Sequence, residues 1–392
     1  MTKDKELDLY HGVDKMNELK RSLNNLSNES NFSKRCFEYL TKIGIIQSPL
    51  KQKKICFIYW GPHEVHKTWA ESVNAKFYSF VPFNSELLKK NGFFLHLFSF
   101  LNGFTIPKSD IYILESPMMT TALLSKIFFN KPIIMAINSD PFFLTIKKFH
   151  GITKIYFDYA LKLIDVMIST TEMMKNVAIN YQNIPKKIKH FIVPIYFDID
   201  KYSKINPCIE EENFCFIGPY LNKQKGVDIL INFFLSLKKR GKLYLVGTLS
   251  KDVVNLAKNE KSIVATGFVK NPAEYLKLCK YYFNLSRFEP AGVNIIESMA
   301  AGFIPLVSNK CGLAYAVEKI SPELIIDIEN DDLKKKFETF KKDLYTVENA
   351  ENAKKISKEF SESKSVKLFK KIIQQALDNF AIRGALIQKH YK

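Results

Sequence analysis

No apolar run in the 392 residues approaches the roughly 20 needed to span a bilayer. The opening stretch, Met1-Thr-Lys-Asp-Lys-Glu-Leu7, lacks the apolar centre of a secretory signal, so a cytoplasmic protein is expected. Cys36, Cys56, Cys208, Cys215, Cys279 and Cys311 are scattered with no Cys-x-x-C pair, which argues against a zinc ribbon and a disulfide framework. Acid is in short supply: 40 Asp and Glu face 58 Lys and Arg, a net charge of +18. That surplus suits an anionic partner, or simply solvates Lys-rich helix faces. No module with aromatic residues interleaved among basic ones stands out, so nucleic acid is not an expected partner.

Hydrophobic residues make up 46% and charged residues 25%, the balance of a folded protein. The length exceeds what one ordinary core holds. Residues 1–50 read as a polar, helix-friendly extension. Short runs apolar on both faces follow at 54–59, 76–81, 110–115, 131–137, 165–169 and 191–194, separated by helical stretches. The pattern restarts at 213–218, 242–247, 262–267, 281–285 and 304–308. Runs of this kind are the signature of buried parallel strands. Two α/β domains of Rossmann type are therefore expected, 51–205 and 206–368, facing each other across a cleft. The basic amphipathic tail, 369–392, is expected to pack back on the first. Phe93, Phe94, Leu97, Phe98 and Leu101 form a stripe that is either a buried helix or a helix for a membrane surface.

The densest information lies in Ser286-Arg-Phe-Glu-Pro-Ala-Gly-Val-Asn-Ile-Ile-Glu-Ser-Met-Ala-Ala-Gly-Phe-Ile-Pro305. Gly292 reads as the turn opening a helix and Gly302 as its stop, with Glu289 in the loop before it and Glu297 on its second turn. A helix start can hold a phosphate, and a nearby carboxylate can grip sugar hydroxyls. Upstream, Gly218-Pro-Tyr-Leu-Asn-Lys-Gln-Lys-Gly-Val-Asp-Ile-Leu230 sets Lys225 at another helix start.

Together these segments resemble the group 1 family of retaining glycosyltransferases, whose fold is GT-B. Glu289, Glu297, Gly302 and Pro305 match its Glu-x7-Glu motif without gaps, and Lys225-Gly226 matches its Lys-Gly. The match is firm over 210–310 and looser over 50–200. The resemblance implies metal-independent transfer of a hexose from a nucleotide-diphosphate sugar, with no cofactor, to a glycan or lipid-linked acceptor. An anionic membrane face is a further expected partner. It also implies catalytic roles for Glu289, Lys225 and Asn138. Donor binding would fall to Gly218, Lys225, Gly267, Gly292, Val293 and Glu297, with Gly61 and His63 on the acceptor side.

Some positions depart from the family. Pro219 stands where a phosphate-binding Arg is usual, leaving Lys223 or Arg287 to replace it, and Asn138 stands where a His is usual. Asn can hydrogen-bond a hydroxyl but cannot carry a proton. The alternative is thus a catalytically weak or inactive GT-B protein that binds a nucleotide sugar or glycan.

Overall fold

The computed structural model describes residues 53–59, 64–79, 101, 103–124, 133–139, 150–181, 184–257 and 260–390. Residues 55–369 form one compact unit. The segments 1–50 and 92–100, and with them Gly61 and His63, lie outside the described residues.

The first sheet contains β1 (Ile55–Tyr59), β2 (Lys76–Ser79), β3 (Ile111–Leu114), β4 (Ile133–Asn138), β5 (Val166–Ser169) and β6 (Lys189–Ile192). The second contains β7 (Phe214–Leu221), β8 (Leu243–Leu249), β9 (Ile263–Gly267), β10 (Tyr281–Asn284), β11 (Leu306–Ser308) and β12 (Ile325–Ile326). All pairings are parallel. Eleven of these strands fall on the runs read from the sequence. The twelfth, at two residues, is too short for any periodicity to reveal.

Helices connect the strands. Those that matter below are α1 (Glu64–Ser72), α2 (Gly151–Leu161), α3 (Glu172–Ile179), α4 (Ile199–Ser203), α5 (Val227–Leu235), α6 (Val293–Ala300), α7 (Ala314–Glu318) and α8 (Glu362–His390). Among the described residues, no helix is long and apolar enough to cross a membrane.

The strand order carries the functional information. The first sheet runs β2-β1-β3-β4-β5-β6 and the second β12-β11-β10-β7-β8-β9. In each, successive connections grow outward in one direction and then reverse. The reversal falls between β1 and β3 in the first sheet and between β7 and β10 in the second. Loops leaving the carboxyl ends of such a pair diverge, and the crevice between them is where open α/β sheets bind ligands.

Both sheets bury apolar side chains on each face, as the uninterrupted runs require. The second core is aromatic at its centre, where Phe214 lies 5.0–5.6 Å, ring to ring, from Phe234, Tyr281, Phe283 and Phe337. In the first half, Trp69 of α1 is wholly buried. Its ring stacks on Phe369 of α8 at 5.1 Å and 8°. Its indole N–H donates to Ser365 Oγ at 3.0 Å, and Ser365 in turn donates to the Pro194 carbonyl at 2.8 Å. One side chain thus joins α1, the start of α8 and the segment after β6. Trp69→Ala is expected to destabilise the protein by about 3–5 kcal/mol, and Trp69→Phe by much less because the stack survives. The midpoints of urea denaturation measure both losses.

Candidate functional site

Lys225 and Glu289 stand on the two loops that leave the reversal of the second sheet, after β7 and β10 respectively. Each loop ends in a glycine that opens a helix. Gly226, the N-cap of α5, has φ 66°, and Gly292, the N-cap of α6, has φ 86°. Both values lie in the left-handed region that favours glycine. Gly226 has a second constraint, because a Cβ there would lie 1.8 Å from the Leu285 carbonyl oxygen. That close approach draws the loops together, and the Lys225 ammonium forms an ion pair with the Glu289 carboxylate.

Further bonds knit the same two loops. The Arg287 amide donates to Gln224 O at 2.8 Å, and Gln224 Nε2 donates to Phe288 O at 3.3 Å. Asn222 Oδ1 accepts from the Lys225 amide at 3.0 Å. Arg287 grips Asp228 with two hydrogen bonds, 2.7 and 2.9 Å, and also donates to Lys223 O. Burial would raise the Asp228 carboxyl, but the bonded Arg287 outweighs it and holds the group low. Arg287 therefore has an intramolecular partner and does not stand as an unengaged replacement for the cation missing at Pro219. Pro219 itself is exposed, as is Lys223.

Glu289 is fixed on its other side by the segment after β11. Its amide donates to Lys310 O at 3.0 Å and its carbonyl accepts from the Gly312 amide at 2.8 Å. No side chain caps the first turn of α6. The positive end of that helix faces the loop bearing Glu289, which favours a carboxylate there and, equally, a ligand anion. Asn294 Nδ2 donates to the Ile217 carbonyl at 2.5 Å, and Asn284 Nδ2 donates to Asn294 Oδ1 at 3.2 Å. Ser286 Oγ completes the chain by donating to Asn284 Oδ1 at 2.6 Å. This network ties the middle of β7 to the start of α6. The only trace it leaves in the sequence is Asn284, a polar residue closing an otherwise apolar strand.

One turn further on, Val293 and Glu297 share a face of α6 and line a cleft of about 1100 Å³ with Tyr196, Asp198 and Tyr202. Burial pushes the Glu297 carboxyl above its usual range, and the Tyr202 hydroxyl and Lys201 beside it offset part of that rise. Tyr202 was not legible as a partner, since it belongs to the short helix α4 between the two sheets. Asp198-Ile199-Asp200 is an Asp-x-Asp triplet that borders the same cleft. Asp198 caps α4, accepting from the Lys201 amide at 3.1 Å.

The remaining sequence-derived residues are dispersed. Gly218 lies within β7, and its carbonyl would be 1.7 Å from a Cβ on Gly247. Gly267 ends β9 at φ 67° with open space around it. Asn138 closes β4, fully buried, its amide donating to Met174 O at 2.8 Å and Ser169 Oγ at 3.3 Å. His66, after the first strand, is buried in α1 with Nδ1 3.3 Å from Glu115 Oε1. Between the halves, Thr171 Oγ1 donates to the Pro290 carbonyl at 2.9 Å, and a Cβ on Gly312 would strike that carbonyl at 2.0 Å.

Two outcomes follow from this geometry. Gly226→Ala places a methyl against a backbone carbonyl at positive φ, and is expected to cost more than about 1 kcal/mol in thermal or denaturant unfolding. For Glu297 the folded pKa lies above the carboxyl's ordinary 4.5. Protonation therefore favours the fold, a contribution complete below about pH 4.5 and lost as pH rises through the raised value. Glu297→Gln should then raise the Tm at pH 7–8 and leave it unchanged near pH 4. Calorimetry at both pH values checks the sign.

Residues 198–360 match the family model described as Glycosyl transferases group 1. No curated protein sequence matches the chain. Among solved structures, sucrose-phosphate synthase from Thermosynechococcus elongatus is similar with a TM-score of 0.61 at 13% identity, over 83% of this chain and 99% of its own. HepE of Anabaena in complex with UDP gives 0.63 at 14%, over 82% and 100%. A glycosyltransferase from Rickettsia africae ESF-5 gives 0.61 at 15%, over 84% and 100%. At such identities the likeness speaks for the architecture. The two six-stranded parallel sheets form the GT-B fold, and the half that carries Lys225, Glu289 and Glu297 is the half matched by the group 1 glycosyltransferase family.

Proposed function

We propose that the protein is a retaining glycosyltransferase that moves a hexose from a nucleotide-diphosphate sugar to a glycan or lipid-linked acceptor, without a metal. The observation that carries this reading is the Lys225–Glu289 ion pair, set where two helix starts converge at the reversal of the second sheet. HepE, of the same fold, has been crystallised with UDP and with UDP-glucose.

The chemistry such a donor needs can be assigned to the residues present. A diphosphate requires cationic compensation, which Lys225 and the uncapped first turn of α6 supply. The ribose diol suits Glu297, because an ionised carboxylate accepts from two hydroxyls. Burial acts against that charge, and a bound diol favours the ionised form. Glu289 contacts the donor sugar on this reading. As the bond to the diphosphate loosens, the sugar becomes oxocarbenium-like and the leaving group gains negative charge. Lys225 and the α6 amides then stabilise the transition state more than the ground state. In the ligand-free protein Lys225 and Glu289 neutralise each other, so neither charge stands unpaired before the donor arrives.

A second reading is a GT-B protein that binds a nucleotide sugar or glycan with weak or no turnover. It is favoured by Asn138, whose amide is committed to Met174 O and Ser169, and by Arg287, which is engaged with Asp228. An acidic membrane surface as the place of an acceptor lipid belongs to the first reading and draws on the net charge of +18.

A thermal-shift screen of UDP, GDP and ADP should show one of them raising the Tm, since a ligand of the folded state stabilises by mass action. Lys225→Ala should weaken that diphosphate by about 10–100-fold, the worth of a charge-assisted contact. Glu289→Ala should retain nucleotide binding but lower donor turnover by about 100–1000-fold. Equal turnover of donor by wild type and Glu289→Ala, as hydrolysis or transfer, sinks the transferase reading and leaves the binding one.

A further inference from the structure

A second groove, of about 660 Å³, opens between α3 of the first half and α7 of the second. Its floor is Cys311-Gly312, the segment whose backbone holds Glu289 from behind. Among the described residues no Lys or Arg lines it, and of its two carboxylates, Glu172 and Glu318, the first is paired with Lys175 at 2.8 Å. In a chain of net charge +18, a groove without a cation in its lining offers a phosphate or other anion no direct charge partner.

The lining is sorted by helical spacing. Glu172, Asn176 and Asn180 recur every four residues along α3 and its C-cap, forming a polar ridge. Met173 and Val177, one residue on from each of the first two, form an apolar row beside it. On the facing side Tyr315 is 37% exposed, although its ring packs on Phe360 at 6.3 Å and beneath Lys319 at 5.9 Å. The exposed amides of Asn176, Asn180 and Asn309 each offer donors and an acceptor. An apolar strip with an anchored aromatic ring, flanked by amides and carboxylates, matches an uncharged molecule with one C–H face and many hydroxyls.

We propose that this groove binds a neutral sugar unit, one of the non-reacting residues of the acceptor glycan. Saccharide binding stands by itself, while its assignment to an acceptor rests on the transferase reading. The Asn309–Gly312 segment separates the bound unit from Glu289, so the groove positions the acceptor chain and does not touch the reacting bond.

The test uses the full chain and ligand-observed NMR with a panel of neutral probes: glucose, galactose, mannose, N-acetylglucosamine and their di- and trisaccharides. At least one oligosaccharide should bind. Asn176→Ala and Tyr315→Ala, both at exposed positions, should each weaken it by about fivefold or more, the worth of about one hydrogen bond or one stacking contact. Glu289→Ala should leave this binding unchanged. No binding by any member of the panel overturns the proposal, as does binding indifferent to both groove variants. Sugar binding that persists in a protein unresponsive to UDP, GDP and ADP defeats the transferase reading alone. A nucleotide response without sugar binding defeats the groove alone.

Discussion

Gly226 has no room for a side chain, and much of the site depends on that. The Leu285 carbonyl occupies the space a Cβ would need. Because the loop after β7 can come that near the loop after β10, Lys225 reaches Glu289 and Arg287 reaches Asp228. The backbone constraint precedes the electrostatics. Without close approach, both charges would be solvated separately on diverging loops, and an exposed ion pair contributes little. With it, a cation and an anion are held together at the positive ends of two helices.

The same region shows how sequence patterns and tertiary contacts divide the information. Eleven of the twelve strands were legible because they fall on short, largely apolar runs bounded by turn residues. Their order was not, since hydrophobic runs carry no label for their neighbours. Yet the order places the reversal between β7 and β10 and thereby singles out their loops. Lys225, Glu289 and Glu297 stood out through spacing around glycines that the structure places at positive φ. The network of Asn284, Ser286 and Asn294 did not, because side chains contributed by two separate elements, together with the Ile217 carbonyl of a third, make it. Tyr202 escaped for the same reason: nothing about residue 202 in isolation indicates a neighbour at 297.

The departures from the expected pattern acquire physical meaning in three dimensions. Asn138 is an internal tie between β4 and the helix after β5, a use for which an amide is well suited. Arg287 closes a bidentate pair that fastens the β10 loop to α5. Both residues thus contribute to the scaffold, and the charge available to a ligand narrows to the Lys225 region and the start of α6. The groove beside Tyr315 differs, lined by amides and by two carboxylates, one of them paired with Lys175. One chain therefore presents two surfaces of contrasting electrostatic preference on either side of a single loop.

The bond from Thr171 to the Pro290 carbonyl has a mechanical consequence. Pro290 directly follows Glu289, so the attachment of one half of the molecule to the other falls one residue from the central carboxylate. A change in the interval between the halves would load that hydrogen bond, and with it the residue next to Glu289.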